Sequence, residues 1–423
     1  MRLSRLLLSL VAIILTPVLP LHAQTPLLTG YFPQWGLYDQ PQYTVKNLVT
    51  SHAAEKLDQL IYAQAFVTNG RCSIADPNAD TTRIVPADQS LDGIADTPTQ
   101  SLRGNFNQLL KLKRLYPNLK ILISLEGQAR DFAADAQAAQ RQAFVASCVD
   151  LFLRGDLAPG VHAPGLFDGI DVDWEFPHPE DSANFLALLT ELRRQSEAVH
   201  PGALLSIAVG PSPRMTGDPA NLPAIARLVD HIGIMSYDYT GPWARSTGFI
   251  APFSNARPGG FGGSVQGSVQ AWIAAGVPAS KLFMGLPFYG YGWHVVSREN
   301  NGLFQQGEPI RGDRPYPYIE ALIAKSTVYR EESSQSPWLY DGDAFWTYDD
   351  PTSIRHKTAF AVEQQLGGLM IWHLGEDTPT ATLLNAAHEA LHVPWLTTYT
   401  PPTEPFTTLA PPQPPFTPIN PSF

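Results

Sequence analysis

The chain has 423 residues, of which 44% are hydrophobic, 10% aromatic and 16% charged. This apolar and aromatic content excludes a disordered protein, and the length exceeds that of a mini-domain held together by disulfides. The formal net charge is −11, from 28 Lys and Arg against 39 Asp and Glu. Because an acidic surface repels phosphate groups, we expect neither nucleic acid nor an anionic membrane as a partner.

The first residues have the pattern of a secretory signal peptide. Arg2 and Arg5 precede an apolar run from Leu6 to Leu19, and Ala23 offers a small residue for cleavage. The run is short for a membrane span, so an uncleaved anchor is the weaker interpretation. The sequence predicts a signal peptide over residues 1–23 and a secreted protein, or a periplasmic one in a Gram-negative bacterium. No membrane contact is expected after cleavage.

The chain contains two cysteines, Cys72 and Cys148. An oxidising compartment permits a disulfide between them, but two cysteines do not define a framework, and two buried free thiols remain the alternative. The sequence has no C-x-x-C or H-E-x-x-H pattern. We therefore predict neither a metal site nor a cofactor.

Eight short apolar runs alternate with amphipathic stretches. The runs are Leu27–Pro33, Leu57–Val67, Leu119–Leu125, Gly169–Trp174, Leu204–Val209, Ile232–Tyr237, Leu282–Phe288 and Leu369–Leu374. Several are almost continuously apolar, which is typical of parallel strands buried on both faces. Eight strands with intervening helices predict an α/β fold of the (β/α)8 TIM barrel type. A doubly wound sheet is the alternative, but it gives no reason for the number eight.

Three further segments complete the predicted organisation. The polar stretch from Ser73 to Ser101 is expected to cross the top of the barrel after strand two. The long gap before the last strand is rich in aromatic residues and predicts a small α+β insertion at about residues 291–347, between strands 7 and 8. A catalytic barrel over residues 24–392 is then followed by a Pro/Thr-rich disordered tail at 393–423.

The densest group of acidic residues lies in the fourth run, between Asp168 and Glu175. On a strand, side chains alternate between the two faces, so Asp171, Asp173 and Glu175 share one face about 6.6 Å apart. Crowded carboxylates raise one another's pKa, which leaves a protonated group of the kind that general acid catalysis of glycosidic cleavage requires. A solvated loop or calcium site is disfavoured, because the interleaved residues are Ile, Val and Trp.

This segment resembles the D-G-x-D-x-D-x-E signature of glycoside hydrolase family 18, the chitinase family. The resemblance extends over residues 27 to about 392 through motifs at the other predicted strand ends. These motifs are Gly30-Tyr31-Phe32, Ser124-Leu125-Glu126-Gly127, Met235-Ser236-Tyr237-Asp238, Pro287-Phe288-Tyr289-Gly290 and Gly367-Gly368-Leu369-Met370-Ile371-Trp372.

The resemblance implies a retaining, substrate-assisted hydrolysis. Glu175 would protonate the glycosidic oxygen, while the carbonyl oxygen of the substrate's own 2-acetamido group attacks the anomeric carbon. Asp173 would bind the acetamido N–H, and Asp171 would share its proton. Tyr237 would donate a hydrogen bond to the acetamido oxygen.

The resemblance also implies the remaining contacts and the substrate. Substrate-binding residues would be Tyr31, Glu126, Gly127, Phe176, Met235, Asp238 and Trp372, supported by Asp168 and Ser124. Core packing is the alternative for Trp372 and Tyr31. The predicted partner is chitin or an N-acetylglucosamine oligosaccharide, bound by a monomer. An endo-β-N-acetylglucosaminidase acting on N-glycans or cell-wall glycans, and a non-catalytic chitin-binding lectin, are the alternative functions.

Two positions depart from the family pattern. Glu126 stands where the family prefers glycine, and Tyr291 stands where an arginine often follows the strand-seven motif. Both leave the catalytic groups in place and put the shape of the sugar subsites in question. Trp35 and Trp243 are candidate sugar-stacking platforms, with core packing as the alternative for each.

Overall fold

The computed structural model describes residues 25–256 and 263–392, so the predicted signal peptide and tail lie outside the described residues. The strands are β1 (Leu27–Pro33), β2 (Gln59–Thr68), β3 (Arg71–Ile74), β4 (Lys120–Gln128), β5 (Asp156–Ala158), β6 (Val161–His162), β7 (Gly169–Glu175), β8 (Leu204–Val209), β9 (His231–Ile234), β10 (Leu282–Pro287), β11 (Tyr289–His294), β12 (Glu308–Pro309), β13 (Arg314–Pro315), β14 (Thr327–Arg330), β15 (Pro337–Tyr340), β16 (Phe345–Thr347) and β17 (Gly368–Trp372). The α-helices are α1 (Val45–Thr50), α2 (Gly104–Leu115), α3 (Ala129–Asp135), α4 (Arg141–Cys148), α5 (Ser182–Val199), α6 (Leu222–Leu228), α7 (Val265–Ala274), α8 (Tyr316–Ile323), α9 (Pro351–Glu363) and α10 (Thr382–His392).

Eight parallel strands form a closed barrel. Their order is β1, β17, β10, β9, β8, β7, β4 and β2, and pairing between β1 and β2 closes the ring. Each of the eight predicted runs overlaps one of these strands, so the (β/α)8 prediction is confirmed. A doubly wound sheet is excluded, because such a sheet has two free edges.

The strand that carries the acidic residues packs its apolar face against the helices. The ring of Trp174 stacks on Phe132 with centroids 5.3 Å apart and meets the edge of Phe185 at 5.5 Å. Gly169 opens the strand where β8 comes closest, since a Cβ there would lie 2.3 Å from the carbonyl oxygen of Leu204. Any larger residue would push the two strands apart.

The segment after β2 differs from its prediction. β3 pairs with β2 as a hairpin, and Cys72 on β3 forms a disulfide with Cys148 on α4. Farther along, Lys111 on α2 binds Asp92 at 2.7 Å and Ser90 at 2.8 Å. The second half of the segment therefore lies along α2 rather than across the top of the barrel, because its polar groups find partners on that helix.

The stretch between β10 and α9 folds around a mainly antiparallel sheet of its own. Five strands follow the order β12, β11, β16, β15 and β14, while β13 pairs with β11 and α8 follows it. Its interior is aromatic, with Trp338, Tyr340 and Phe345 buried. The sheet begins at Tyr289, directly after the barrel strand β10, so one face of the subdomain stands beside the carboxyl ends of the barrel strands.

Within residues 25–256 and 263–392, no helix combines the length and apolar character needed to cross a membrane.

Candidate active site

The acidic side chains of β7 lie on the predicted face. Asp171 and Asp173 point into the barrel and retain 1% and 7% of their exposure, while Glu175 stands exposed at the end of the strand. Ile170 and Val172 are buried on the opposite face. Because all eight barrel strands are parallel, their carboxyl ends meet at one rim, and the side chains there share one cleft.

Asp171 is held by three hydroxyl groups from three strands. Tyr31 and Ser124 each donate a hydrogen bond to Oδ2 at 2.9 Å, and Ser206 donates to Oδ1 at 2.6 Å. Burial raises the pKa of Asp171, and the three hydroxyl donors oppose that rise because they favour the ionised carboxylate. Among the described residues, the side-chain donors to Asp171 are thus these three hydroxyl groups.

Asp173 lacks such support. Its Oδ1 is buried without a hydrogen-bond partner among the described residues. Burial, followed by the negative charges of Glu175, Asp171 and Glu126, raises the pKa of Asp173 well above its ordinary value. Desolvation of its carboxyl, and then Glu126 and Asp238, also raise the pKa of Glu175. The row therefore retains protons to a higher pH than isolated carboxyls do.

A second group of side chains follows β9, which is separated from β7 by β8. Tyr237 is buried, and Tyr289 donates a hydrogen bond to Oδ1 of Asp238 at 2.7 Å. Burial raises the pKa of Asp238, against the effect of hydrogen bonds from Tyr289 and Tyr291. Met235 is half-buried, and its backbone N–H binds the carbonyl oxygen of Val209. Tyr237 and Asp238 thus lie at the same rim as the carboxylate row, close enough that, besides burial, Asp173 and Glu175 raise the pKa of Tyr237 and Asp238 raises that of Glu175.

An aromatic group borders the cleft at the end of β17. Trp372 is half-buried, and its ring centroid lies 5.2 Å from that of Tyr31 and 6.3 Å from that of Trp35. The indole is therefore not core, whereas Tyr31 is buried and uses its hydroxyl group on Asp171. A partly open indole offers an apolar surface to a sugar face.

The two departures from the family pattern both lie at this rim. Glu126 is half-buried on β4, directly beside Asp173 in the strand register. Tyr291 lies on β11, and its ring centroid is 5.6 Å from that of Trp243. Trp243 is 62% exposed and Trp35 half-buried, so neither belongs to the core.

Gly127 and Phe176 follow two of these rim residues. A Cβ at Gly127 would lie 3.0 Å from that of Val67, so the neighbouring strand leaves little room for a side chain. Phe176 directly follows Glu175 and is half-buried. The sequence resemblance implied that both residues contact the substrate, and their position next to the rim is compatible with that role.

Asp168 lies apart from the other predicted residues. It precedes β7 at the amino end of the barrel, where Lys113 on α2 donates to Oδ2 at 2.6 Å and the N–H of Ile121 at 2.8 Å. Seven residues of strand, about 23 Å, separate it from Glu175. Its contacts join α2 and β4 to β7, so it supports the barrel rather than the cleft.

Two functional contacts were missing from the sequence prediction. Ser206 on β8 makes the shortest hydrogen bond to Asp171, and Tyr289 holds Asp238. The signal for Ser206 was a lone hydroxyl in the otherwise apolar LLSIAV strand. Among the described residues, no group of three or more His, Cys, Asp or Glu side chains is arranged to hold a metal ion.

Comparison with known proteins agrees with this geometry. The sequence model of the family described as glycosyl hydrolases family 18 matches residues 28–377 of this chain. Chitinase C of Streptomyces lividans is 35% identical over 366 residues, which are 82% of this chain and 57% of that protein. This chain therefore spans less than two thirds of that relative's length.

Two solved structures show the same fold. The catalytic domain of the psychrophilic chitinase B from Arthrobacter TAD20 has a TM-score of 0.80 at 30% identity and covers 93% of this chain and 100% of its own. A family 18 N-acetylglucosaminidase from Paenibacillus barengoltzii has a TM-score of 0.66 at 27% identity, covering 86% and 99%. With the family match over most of its length, the chain belongs to glycosyl hydrolases family 18.

Proposed function

We propose that this protein is a chitinase that hydrolyses β-1,4 bonds between N-acetylglucosamine units. The observation that carries the proposal is the inward-facing row on β7, where Asp171 is held by three hydroxyl groups and Asp173 has a free buried oxygen. The names of its similar relatives, among them chitinase C and chitinase B, support this substrate class.

In the proposed reaction, Glu175 is the general acid. It stands at the open end of β7, within reach of a chain bound along the cleft, and its neighbours favour the protonated form. The proton passes to the glycosidic oxygen as the bond from that oxygen to the anomeric carbon breaks. General acid catalysis of this kind typically contributes about 10²–10⁴ in rate.

The substrate itself would supply the nucleophile. Oδ1 of Asp173 is a buried acceptor that needs a donor, and the N–H of the 2-acetamido group is a suitable one. Held in this way, the acetamido carbonyl oxygen attacks the anomeric carbon and forms an oxazolinium ion, which the charge of Asp173 stabilises. Water then opens the ring with help from Glu175, so that two displacements retain the anomeric configuration.

Two aromatic residues would orient the sugar at the cleavage point. Tyr237 is buried beside Asp238 and would donate its hydroxyl hydrogen to the acetamido oxygen. Trp372 is half-buried at the end of β17 and would pack beneath the sugar ring. The subdomain that begins at Tyr289 would form one wall of a groove long enough for a polymer.

Export is part of the proposal. The predicted signal peptide at residues 1–23 directs secretion, and the disulfide between Cys72 and Cys148 is of the kind that persists in oxidising compartments.

The proposal is tested by product analysis on chitin oligosaccharides, an N-glycoprotein and peptidoglycan side by side. We expect cleavage of the chitin oligosaccharides, retained product anomers by NMR, competitive inhibition by a thiazoline analogue, and no cleavage where the sugar at the reacting position carries a free 2-amino group. Efficient hydrolysis of fully deacetylated chitosan or inverted anomers would overturn substrate assistance. Cleavage of the N-glycoprotein alone would indicate an endo-β-N-acetylglucosaminidase, and binding without cleavage would indicate a lectin.

A further inference from the structure

Glu126 is a further carboxylate in the cleft, at a position where the family prefers glycine. Strand β4 pairs with β7 in a register that sets Ser124 beside Asp171 and Glu126 beside Asp173. Since Ser124 points inward to bind Asp171, alternation directs Glu126 to the same inner face, one step nearer the rim.

No lysine or arginine in the described part of the chain forms an ion pair with this carboxylate. On the elements that pack against β4 or reach the same rim, the titratable groups are Asp171, Asp173 and Glu175 on β7, Tyr237 and Asp238 after β9, Tyr31 on β1, Tyr62 and Arg71 on the β2–β3 hairpin, and Arg130, Asp131 and Asp135 on α3. Arg130 is 80% exposed and pairs with Asp131 at 3.7 Å. Tyr62 binds Asp80 on the helix-facing side. Within the described residues, neither Lys nor Arg forms an ion pair with Glu126, Asp173 or Glu175.

We propose that Glu126 is a positioning residue for the acid step, whose negative charge keeps the transferable proton on the Asp173–Glu175 pair. This inference rests on the proposed function and adds a residue that the family pattern does not contain. The charge acts on both groups, since Glu126 is among the causes that raise the pKa of Asp173 and of Glu175.

The order of ionisation follows from burial. Glu126 is half-buried, whereas Asp173 retains only 7% of its exposure. Burial raises the pKa of Glu126, but raises that of Asp173 well above its ordinary value. Glu126 therefore loses its proton first and is charged while the pair still holds one. A charge on the neighbouring strand, about 5 Å away in the register and partly screened by solvent at the rim, is worth on the order of one pH unit.

The experiment measures kcat/KM against pH for the full chain and for three variants, with a soluble chitin oligosaccharide as substrate. Glu126→Gln keeps the shape and removes the charge, Glu126→Asp keeps the charge, and Glu126→Gly restores the family residue. We expect the alkaline limb of the profile to move down by about one pH unit in Glu126→Gln and Glu126→Gly. Glu126→Asp should retain most of the wild-type profile.

Glu363→Gln is the matched control, because it removes the same charge from an exposed position on the outer helix α9. Its profile should coincide with that of the wild type. An unchanged alkaline limb in Glu126→Gln would overturn the inference, and so would equal shifts in the Gln and Asp variants, since shape rather than charge would then be responsible. A wild-type protein without hydrolytic activity would instead refute the proposed function. Thermal unfolding of each variant shows whether the fold is intact.

Discussion

The two ends of β7 carry the same kind of residue in opposite surroundings. At the amino end, Asp168 receives hydrogen bonds from the Lys113 ammonium and the N–H of Ile121. At the carboxyl end, Asp171 and Asp173 are buried, and no described lysine or arginine pairs with either. One motif therefore serves two purposes: its first aspartate ties elements together, and its later ones form a chemical site.

The difference has a consequence for stability. A carboxylate whose pKa is raised by folding stabilises the protein fully below the pKa it has when unfolded, and this contribution is lost as the pH rises through the folded value. Because folding raises the pKa values of Asp171 and Asp173, these two residues lower the free energy of unfolding at neutral pH. Active-site residues of enzymes commonly reduce the stability of the fold, and packing elsewhere in the protein offsets this loss.

The largest effect is expected at the open end of the strand. Glu175→Gln keeps the shape but removes the transferable proton, so kcat should fall by about 10²–10⁴ while oligosaccharide binding persists. Initial rates and binding titration on the same oligosaccharide separate the two quantities. Glu363→Gln on α9 should show wild-type kinetics. Activity within a few fold of wild type in Glu175→Gln would place the acid elsewhere.

Asp173→Asn should lose activity and gain stability together. The amide cannot supply the charge that stabilises the oxazolinium ion, so we expect a fall in kcat of at least about 10². The same change removes an ionisable group whose pKa folding raises, so the melting temperature at pH 7 should rise by about 1–3 °C. Below about pH 4, Asp173 of the wild type is neutral in both the folded and the unfolded state, so the gain in melting temperature should vanish. A melting temperature below that of the wild type at pH 7 would contradict the conclusion that Asp173 destabilises the fold at neutral pH.

Asp168→Asn should have the reverse effect. It leaves the Lys113 ammonium without its partner at a poorly exposed position, and we expect a loss of about 1–3 kcal/mol in the free energy of unfolding. The kcat of the folded enzyme should stay within about twofold of wild type. Asp150→Asn, which breaks an exposed pair with Arg154, is the control and should cost less than about 0.5 kcal/mol. A large loss of kcat in Asp168→Asn would show that the two ends are coupled.

Sequence patterns predicted the barrel and the acidic row because both depend on local periodicity. β1 and β8 have the predicted limits, since each is a short apolar run bounded by clear breaks. The alternation within β7 assigned Asp171 and Asp173 to the inner face directly. Other strand limits moved at either end. β9, for example, ends at Ile234 instead of Tyr237, so that Tyr237 lies beyond the strand, where the chain turns into the cleft.

Contacts between distant strands were harder to predict, because they depend on register. The lone hydroxyl in LLSIAV marks Ser206 as unusual, but its contact with Asp171 follows from the register between β7 and β8, which the sequence of one strand does not reveal. The path of the residues after β3 likewise depended on partners offered by Gln108 and Lys111 on α2. The contact between Trp243 and Tyr291 likewise joins residues far apart in sequence, since Tyr291 lies on β11 of the subdomain.

Ser206→Ala tests one of these unpredicted contacts and should lower kcat less than Glu175→Gln and Asp173→Asn do. Asp171 loses one of three donors that favour its ionised form, so its pKa rises further. If Asp171 must be ionised to share the proton of Asp173, the acidic limb of the kcat profile moves to higher pH by a few tenths of a unit to about one unit. The maximum of kcat should fall several-fold.

Ser196→Ala is the matched control for that substitution, because Ser196 is equally buried on α5 and its hydroxyl group has no partner among the described residues. The substitution at Ser196 also removes one hydroxyl oxygen, but it does so outside the cleft, so the pH profile should not move. A Ser206→Ala profile that coincides with the control would mean that Tyr31 and Ser124 hold Asp171 on their own. In that case the charge state of the row would depend on two strands rather than three.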